Sequence, residues 1–384
     1  MMSGNQQGEI AKGLEGVVAA ETKIGFVDGI NGRLVYRGYN IEDLVEKSNF
    51  EEVAYLLIYG KLPTQTEFKQ FRDNLNLNAG ISEDLFSIIS DTTHKSHPMS
   101  ALRTAISYQG AFDPLSSNSD LKSQEKMGLS IMGSFPSIVA AINRSIKGEG
   151  RVVSKSTDYV EKFLEESFGR KPSDFEKEVM RVALIIHADH GMNASTFASM
   201  VTISTLSDMY SAVTSAVSSL KGPLHGGANE KSLEMLEKIG SPKNAEKVIS
   251  EMLEKKEKIM GFGHRVYKVY DPRAKILKVY AKQLAEKTGH KDLFDTAEEV
   301  EKVMVSKLGS KGIFPNVDFY SGIVYKSLGF DSKIFTPIFA LARISGWFAR
   351  SFEYLHDNRL FRPRSLYKGE VGPLKYLPIN ERKQ

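Results

Sequence analysis

Four of the eight histidines, His187, His190, His225 and His264, fall in or beside short breaks rich in Gly, Asp or Asn. Histidine changes its proton near neutral pH, and glycine lets backbone come close to a ligand, so these breaks are where chemistry is sought first. His187-Ala-Asp-His190 ends an apolar helical pattern, just ahead of Gly191. Positions three apart share a face on a continuing helix. That pair has three open uses: a metal site, a cap or hydrogen bond at a helix end, or an anion site. The metal reading lacks the Glu of H-E-x-x-H. His225 lies in Lys221-Gly-Pro-Leu-His-Gly-Gly-Ala-Asn229, a glycine loop that is either structural or ligand-binding. His264 lies in Gly261-Phe-Gly-His-Arg-Val-Tyr-Lys268, followed by Asp271-Pro-Arg273. A titratable ring, several cations and flexible backbone suit an anionic ligand; the plain alternative is a solvated basic loop.

One acid and three arginines join the candidates. Asp318 stands in Phe314-Pro-Asn-Val-Asp-Phe-Tyr-Ser-Gly322, where Pro-Asn predicts a helix start and Asp318 an acid in its first turn. Arg343 interrupts the apolar run Phe339-Ala-Leu-Ala-Arg-Ile-Ser-Gly-Trp347, where a charge needs a partner or a ligand. Arg362 and Arg364 flank Pro363 and read locally as a surface pair. No P-loop and no G-x-S-x-G elbow occurs, and Gly261-Phe-Gly263 lacks the third glycine of a dinucleotide fingerprint.

The elements that must position these residues are mostly helical. Residues 1–12 are polar and are expected to fray. Residues 22–39 place short β-prone runs around Asp-Gly and Asn-Gly, which predicts a small hairpin. After Tyr39 apolar residues recur at helical spacing, with breaks at Gly60–Pro63, Asp113–Ser119 and Lys147–Gly150. Strands do not alternate with helices and no 20–50-residue repeat is found, so the fold class is mainly α. Residues 194–220, dense in Ala, Ser and Thr, predict one long helix, buried centrally or packed at a subunit interface. From Gly222 the texture changes to shorter, charged helices, and it returns to an apolar helix after residue 330. The expected organisation is a large helical domain of 1–226 plus 329–384, with a small helical domain, 227–328, inserted at glycine-containing hinges.

Composition narrows the function classes. The chain of 384 residues has no cysteine, which excludes disulfides, thiolate metal sites and cysteine nucleophiles. With 51 basic and 47 acidic residues it has no electrostatic footprint for nucleic acid. No apolar run approaches the ~20 residues of a membrane span, and the start lacks a signal pattern. A cytoplasmic protein is expected.

HADHGMNASTFASMV, LSDMYSAVTSAVSSLKGPLHGGAN, MGFGHRVYKVYDPRA, IFPNVDFYSG and FALARISGW followed by RPRS together resemble the citrate synthases in content, order and spacing. Upstream, GLEGVVAAETKIGFVDGINGRLVYRGYNIEDL and HPMSALRTAISYQG fit as well, so the resemblance spans nearly the whole chain. The compact length is similar to the archaeal and small bacterial branch. The resemblance implies a two-domain helical homodimer that closes over its substrates. It would catalyse a tricarboxylic acid cycle reaction: condensation of oxaloacetate with acetyl-CoA, then hydrolysis to citrate and free CoA. It assigns His225, His264 and Asp318 to catalysis. It assigns His190, Arg273, Arg343 and Arg362 to oxaloacetate, with Arg362 supplied by the other subunit. For CoA the match is looser and names Gly261, Gly263, Arg265, Lys268 and Lys311. It implies no metal and no cofactor. The nearest alternative is a 2-methylcitrate synthase using propionyl-CoA, since one methylene discriminates by only ~1–3 kcal/mol. More distant ones are a metal-dependent helical hydrolase on His187, His190 and His225, and an interaction scaffold without chemistry.

Overall fold

The computed structural model describes residues 10–382. Most of the expected frayed start, residues 1–9, therefore lies outside the described residues. The chain opens with a small antiparallel sheet, β1 (Gly25–Asp28), β2 (Arg33–Tyr36) and β3 (Tyr39–Asn40), in that spatial order. The predicted two-stranded hairpin is β1–β2, with Phe26 opposite Val35. The third strand was not foreseen. Arg37 and Gly38 both take positive φ, 48° and 92°, which folds Tyr39–Asn40 back onto β2.

Sixteen α-helices follow among the described residues. The first group is α1 (Ile41–Lys47), α2 (Phe50–Tyr59), α3 (Gln65–Leu77), α4 (Glu83–Lys95), α5 (Pro98–Phe112), α6 (Leu121–Ile146), α7 (Tyr159–Phe168) and α8 (Asp174–His187). Their starts are written in the sequence: Asn49, Thr64 and Ser173 close reciprocal capping boxes with Glu52, Glu67 and Glu176. Gly60 and Gly169 end α2 and α7 in the left-handed conformation.

Residues 194–220 are not one helix but two, α9 (Ala194–Ile203) and α10 (Met209–Leu220). Leu206 has φ of 64°, and Asp208 caps α10 by accepting the Ser211 N–H. A capping aspartate five residues after the end of α9 turns the chain, and the small side chains then let α9 and α10 pack on each other.

The charged helices are α11 (Ala228–Ile239), α12 (Pro242–Glu254), α13 (Pro272–Thr288), α14 (Lys291–Leu308) and α15 (Val317–Ser327). They pack chiefly on one another, and meet the rest where α13 touches α8 and α1 and where α11 touches α16 (Phe335–Leu355). Helix α16 is the apolar centre, packed against α2, α6, α8, α9 and α10, with Trp347 and Phe348 fully buried. Among the described residues no helix is long and apolar enough to cross a membrane.

Glycine makes the closest of these crossings possible. A Cβ on Gly128 of α6 would lie 2.3 Å from the Phe348 ring of α16. Gly128→Ala is expected to destabilise the fold by about 1–3 kcal/mol through overpacking. A chemical denaturation midpoint equal to that of the parent would contradict this crossing.

Candidate active site

Helix α8 runs out at His187, and the chain turns through Ala188–Gly191 before Asn193 caps α9. His187 is fully buried, with Nδ1–H donating to the Ala183 carbonyl at 2.7 Å and Nε2 without a partner among the described residues. His190 instead faces the cleft, its Nε2 3.3 Å from the Tyr267 hydroxyl. The expectation of a shared helical face fails because the helix stops between the two residues. Asp189, also fully buried, accepts both Nε (2.9 Å) and Nη2 (2.8 Å) of Arg350 from α16. Burial pushes its carboxyl up, but Arg350 overrides this and holds it below the usual range.

His225 comes from the glycine loop ahead of α11. Its Nε2 accepts the Ser195 N–H at 3.2 Å and is 2.8 Å from the Ser195 hydroxyl, which also accepts the Trp347 indole N–H at 3.1 Å. A backbone N–H can only donate, so Nε2 is the bare nitrogen and Nδ1 carries the proton. His264 is held in the opposite way. Its Nδ1 accepts the N–H groups of Val266 and Tyr267, both at 3.0 Å, which leaves Nε2–H as the donor. Burial, helped by Arg343, pulls His225 down to about 4. Burial, helped by Arg273, pulls His264 to about 4 as well. Burial and then Arg273 lower His190 well below its ordinary value. All three rings are neutral at neutral pH.

Asp318 occupies the first turn of α15, where Asn316 caps by accepting the Asp318 N–H. Among the described residues no hydrogen bond holds its carboxyl group. Burial raises it to about 6, against the pull of Arg273. The loops carrying Asp318 and His264 are zipped together: Gly263 N–H donates to Phe314 O, and Asn316 N–H to Gly261 O, both at 2.9 Å. Gly261 has φ of 79°, and a Cβ there would meet Phe319 at 2.8 Å. Glu301 of α14 ties the same two segments from behind by accepting the hydroxyls of Tyr270 and Tyr320.

Arg273 stands at the start of α13. Asp271 caps that helix, takes Nε and Nη2 of Arg273 at 3.0 and 2.8 Å, and also accepts the Val317 N–H of α15. Burial opposes the charge on Arg273, but Asp271 more than offsets it. Arg343 donates Nε to the His187 carbonyl at 2.6 Å and lies over the Phe339 ring. Among the described residues no carboxylate pairs with it, and burial lowers it to about 10.

One open cleft of about 420 Å³ is lined by His190, His225, His264, Arg273, Asp318 and Arg343 together. Of the candidates for a nucleotide tail, Gly263 and Arg265 line it, as does Lys258, which the sequence reading did not single out. Gly261, two residues before Gly263, is buried and does not line it. The Lys268 ammonium folds back toward the carbonyls of His264 and Arg265, and Lys311 is exposed on a short 3-10 turn, so neither lines the cleft. Arg362 is exposed in the C-terminal tail and does not line it either. Sequence reasoning missed Ser195, Asp271, Asp189, Arg350 and Tyr36. Only Asp271, as the first residue of Asp-Pro-Arg, carried a local signal, that of a helix cap.

Neutral proton donors on imidazoles, a carboxyl of raised basicity and two buried guanidiniums define an enzyme of acid–base chemistry on anionic substrates. Comparison with known proteins makes the class specific. The family model described as citrate synthase, C-terminal domain, matches residues 13–364. The citrate synthase of Deinococcus radiodurans is 46% identical over 374 residues, 97% of this chain and 99% of that protein. A 2-methylcitrate synthase of Shewanella oneidensis is 38% identical, covering 96% of this chain and 97% of its own. The Thermoplasma acidophilum citrate synthase, solved as a ternary complex with carboxymethyl coenzyme A and oxaloacetate, superposes with a TM-score of 0.92 at 38% identity, over 97% of this chain and 100% of that one. The chain belongs to the citrate synthase family.

The tautomers are directly measurable. Nitrogen-15 NMR between pH 5 and 8 should find both rings neutral, His225 protonated on Nδ1 and His264 on Nε2. Because both titrate below their unfolded value of 6.5, protonation disfavours the folded state. Their contribution to stability is complete above pH 6.5 and is lost as pH falls toward 4. An imidazolium signal from either ring at pH 7 would overturn this assignment.

Proposed function

We propose that the cleft condenses oxaloacetate with acetyl-CoA and hydrolyses the resulting citryl thioester to citrate and free CoA. The observation that carries the reading is the pair of oppositely fixed imidazoles beside an unbonded, elevated carboxyl group. The Asp318 carboxylate removes a methyl proton from the acetyl thioester. His225 Nδ1–H donates to the thioester oxygen and stabilises the enol as it forms. The enol carbon bonds to the ketone carbon of oxaloacetate, and His264 Nε2–H delivers a proton to the oxygen that becomes the hydroxyl. Water then displaces the CoA thiol, leaving a carboxylate. His190, Arg273 and Arg343 hold the two carboxylates of oxaloacetate; arginine forks suit carboxylates and stay charged. Arg265 and Lys258, which line the cleft, would meet the CoA phosphates, and the family resemblance adds Lys268 and Lys311 outside it.

The same reading divides the chain into a large domain, 1–226 plus 329–384, and a small domain, 227–328. Arg273 stands on the small one and Arg343 on the large one, so a shared ligand draws the domains together. The enzyme is a cytoplasmic homodimer in which Arg362 crosses to the partner's site. It needs no metal and no cofactor, because arginines and neutral imidazole donors stabilise the developing charge. Propionyl-CoA is the second reading, favoured by the Shewanella relative and by the small cost of one methylene, ~1–3 kcal/mol. The ratio of kcat/KM for the two acyl-CoAs decides between them.

Thiol release from acetyl-CoA, with and without oxaloacetate, tests the reaction, and a cysteine-free protein adds no background. Release must depend on oxaloacetate. Asp318→Asn should bind oxaloacetate normally yet turn over roughly 10²–10⁴-fold more slowly. Near-native turnover would remove Asp318 from the mechanism.

The dimer proposal has its own test. Arg362→Ala and Asp318→Asn dimers should each be nearly inactive. Refolded together in equal amounts, about half the dimers are mixed, and each mixed dimer holds one site free of both defects. Random pairing on a two-fold axis therefore predicts recovery of roughly a quarter of wild-type activity. No recovery, with mixed dimers confirmed by mass, would assign Arg362 to its own subunit's site.

A further inference from the structure

We infer that the N-terminal hairpin is a positioning element for the reaction, and that the Gly29 carbonyl at its turn sets the placement of the His264 imidazole. This rests on the reading just proposed. The turn between β1 and β2 is organised by Asp28, whose Oδ1 accepts the N–H groups of Ile30 (3.1 Å) and Asn31 (3.0 Å). Its Oδ2 accepts the Asn31 side-chain amide at 2.8 Å. Thus held, the turn presents the Gly29 carbonyl to the Lys268 N–H at 3.0 Å. The approach is too close for any other residue. A Cβ on Gly29 would lie 2.2 Å from the Val266 carbonyl oxygen, which is backbone and has little room to give. Gly32, at φ of 65°, repeats the pattern against the Val269 side chain at 2.9 Å.

Val266 C=O and Tyr267 N–H are two ends of one planar peptide unit. Its oxygen end abuts Gly29. Its nitrogen end is one of the two donors that hold His264 Nδ1. A planar unit cannot absorb a push at one end without moving the other, so the turn and the imidazole are mechanically joined across a single peptide bond.

The other end of the sheet grips the residue before His190. The Tyr36 hydroxyl at the end of β2 donates to the Asp189 carbonyl at 2.8 Å and accepts the Asp189 N–H at 3.1 Å. A Cβ on Gly25 would meet the Asp189 carboxyl oxygen at 2.7 Å. Asp189 is the neighbour of His190, whose ring centre lies 5.1 Å from that of His264. Four residues of the sheet and its turn, Gly25, Gly29, Gly32 and Tyr36, thereby fix the spacing of two segments separated by more than seventy positions in sequence. None of the four lines the cleft, so they act through the backbone that carries the imidazoles.

The test is Gly29→Ala in the full-length chain, with Asp28→Ala and Asp28→Asn beside it. Gly29→Ala should lower kcat at least tenfold with both substrates saturating, and should speed hydrogen exchange of the Tyr267 and Lys268 amides. Asp28→Ala, which loosens the turn without a clash, should do the same to a lesser degree. Asp28→Asn keeps an oxygen that accepts both turn amides, and should stay within twofold of wild type. A folded Gly29→Ala protein with kcat within twofold of wild type overturns the inference. If Gly29→Ala does not fold, the Asp28 pair decides: equal kinetics and equal amide exchange in the Ala and Asn variants overturn it. A wild-type chain that releases no thiol refutes the proposed reaction instead, and the amide exchange still reads the clasp.

Discussion

The chemistry of this cleft depends on backbone amides that decide which nitrogen of each imidazole bears its proton. One N–H, from Ser195, occupies Nε2 of His225, and two, from Val266 and Tyr267, occupy Nδ1 of His264. An amide cannot reverse its role as a hydroxyl can, so the tautomers are fixed by the fold and not by the ligand. Burial then removes the competing imidazolium by lowering both rings to about 4. A neutral donor of known direction is what the enol and the nascent alkoxide of the proposed reaction would each require. The rest of the molecule is arranged to keep three loops at the spacing these amides demand: the zipper between residues 261–263 and 314–316, Glu301 behind it, and the hairpin at its side.

Buried positive charge is the second constraint. Arg273, Arg343 and Arg350 are all buried, and each must be compensated. Arg350 is neutralised by Asp189 and Arg273 by Asp271, both through two parallel hydrogen bonds. Among the described residues Arg343 meets only a carbonyl and an aromatic face, and burial lowers it. Two paired guanidiniums and one unpaired one make the cleft receptive to an anion at one chosen place. Asp271 does double duty here, since the same carboxylate that orients Arg273 accepts the first N–H of the helix bearing Asp318.

Much of this was legible in the sequence, for physical reasons that also explain what was not. Helix breaks such as Gly60–Pro63 were readable because termination is local: Gly60 directly follows the last residue of α2. The cleft histidines, Asp318 and Arg343 stood out because each breaks its surroundings, a ring among glycines or a charge in an apolar run. Residues 194–220 were misread as one helix because small residues are helix-compatible throughout, and only Asp208 with the positive φ of Leu206 breaks the run. Ser195 was invisible among Ala, Ser and Thr, whose plain use is close packing. Its role comes from His225 thirty positions later and Trp347 a further stretch beyond. His187 was paired with His190 on spacing alone, an inference that holds only while the helix continues. Tyr36 looked like an ordinary strand residue, because its partner Asp189 is 153 positions away.

Asp318 shows how magnitudes decide between two readings of one residue. In the first turn of α15 the helix dipole favours a carboxylate by about 0.3–1 kcal/mol, which argues for a lowered value. The structure places the group in a recess where burial raises it from 3.8 to about 6. Desolvation therefore outweighs the dipole at this residue. Arg273 limits the rise by favouring the ionised form. The balance leaves a carboxyl that is ionised at pH 7 yet far more basic than a solvated aspartate. In the proposed reaction, a base so tuned would gain driving force for taking a carbon-bound proton without being blocked by a proton of its own. That balance depends on the distance between Asp318 and Arg273, which Asp271 sets by binding the guanidinium with one face and the start of α15 with the other.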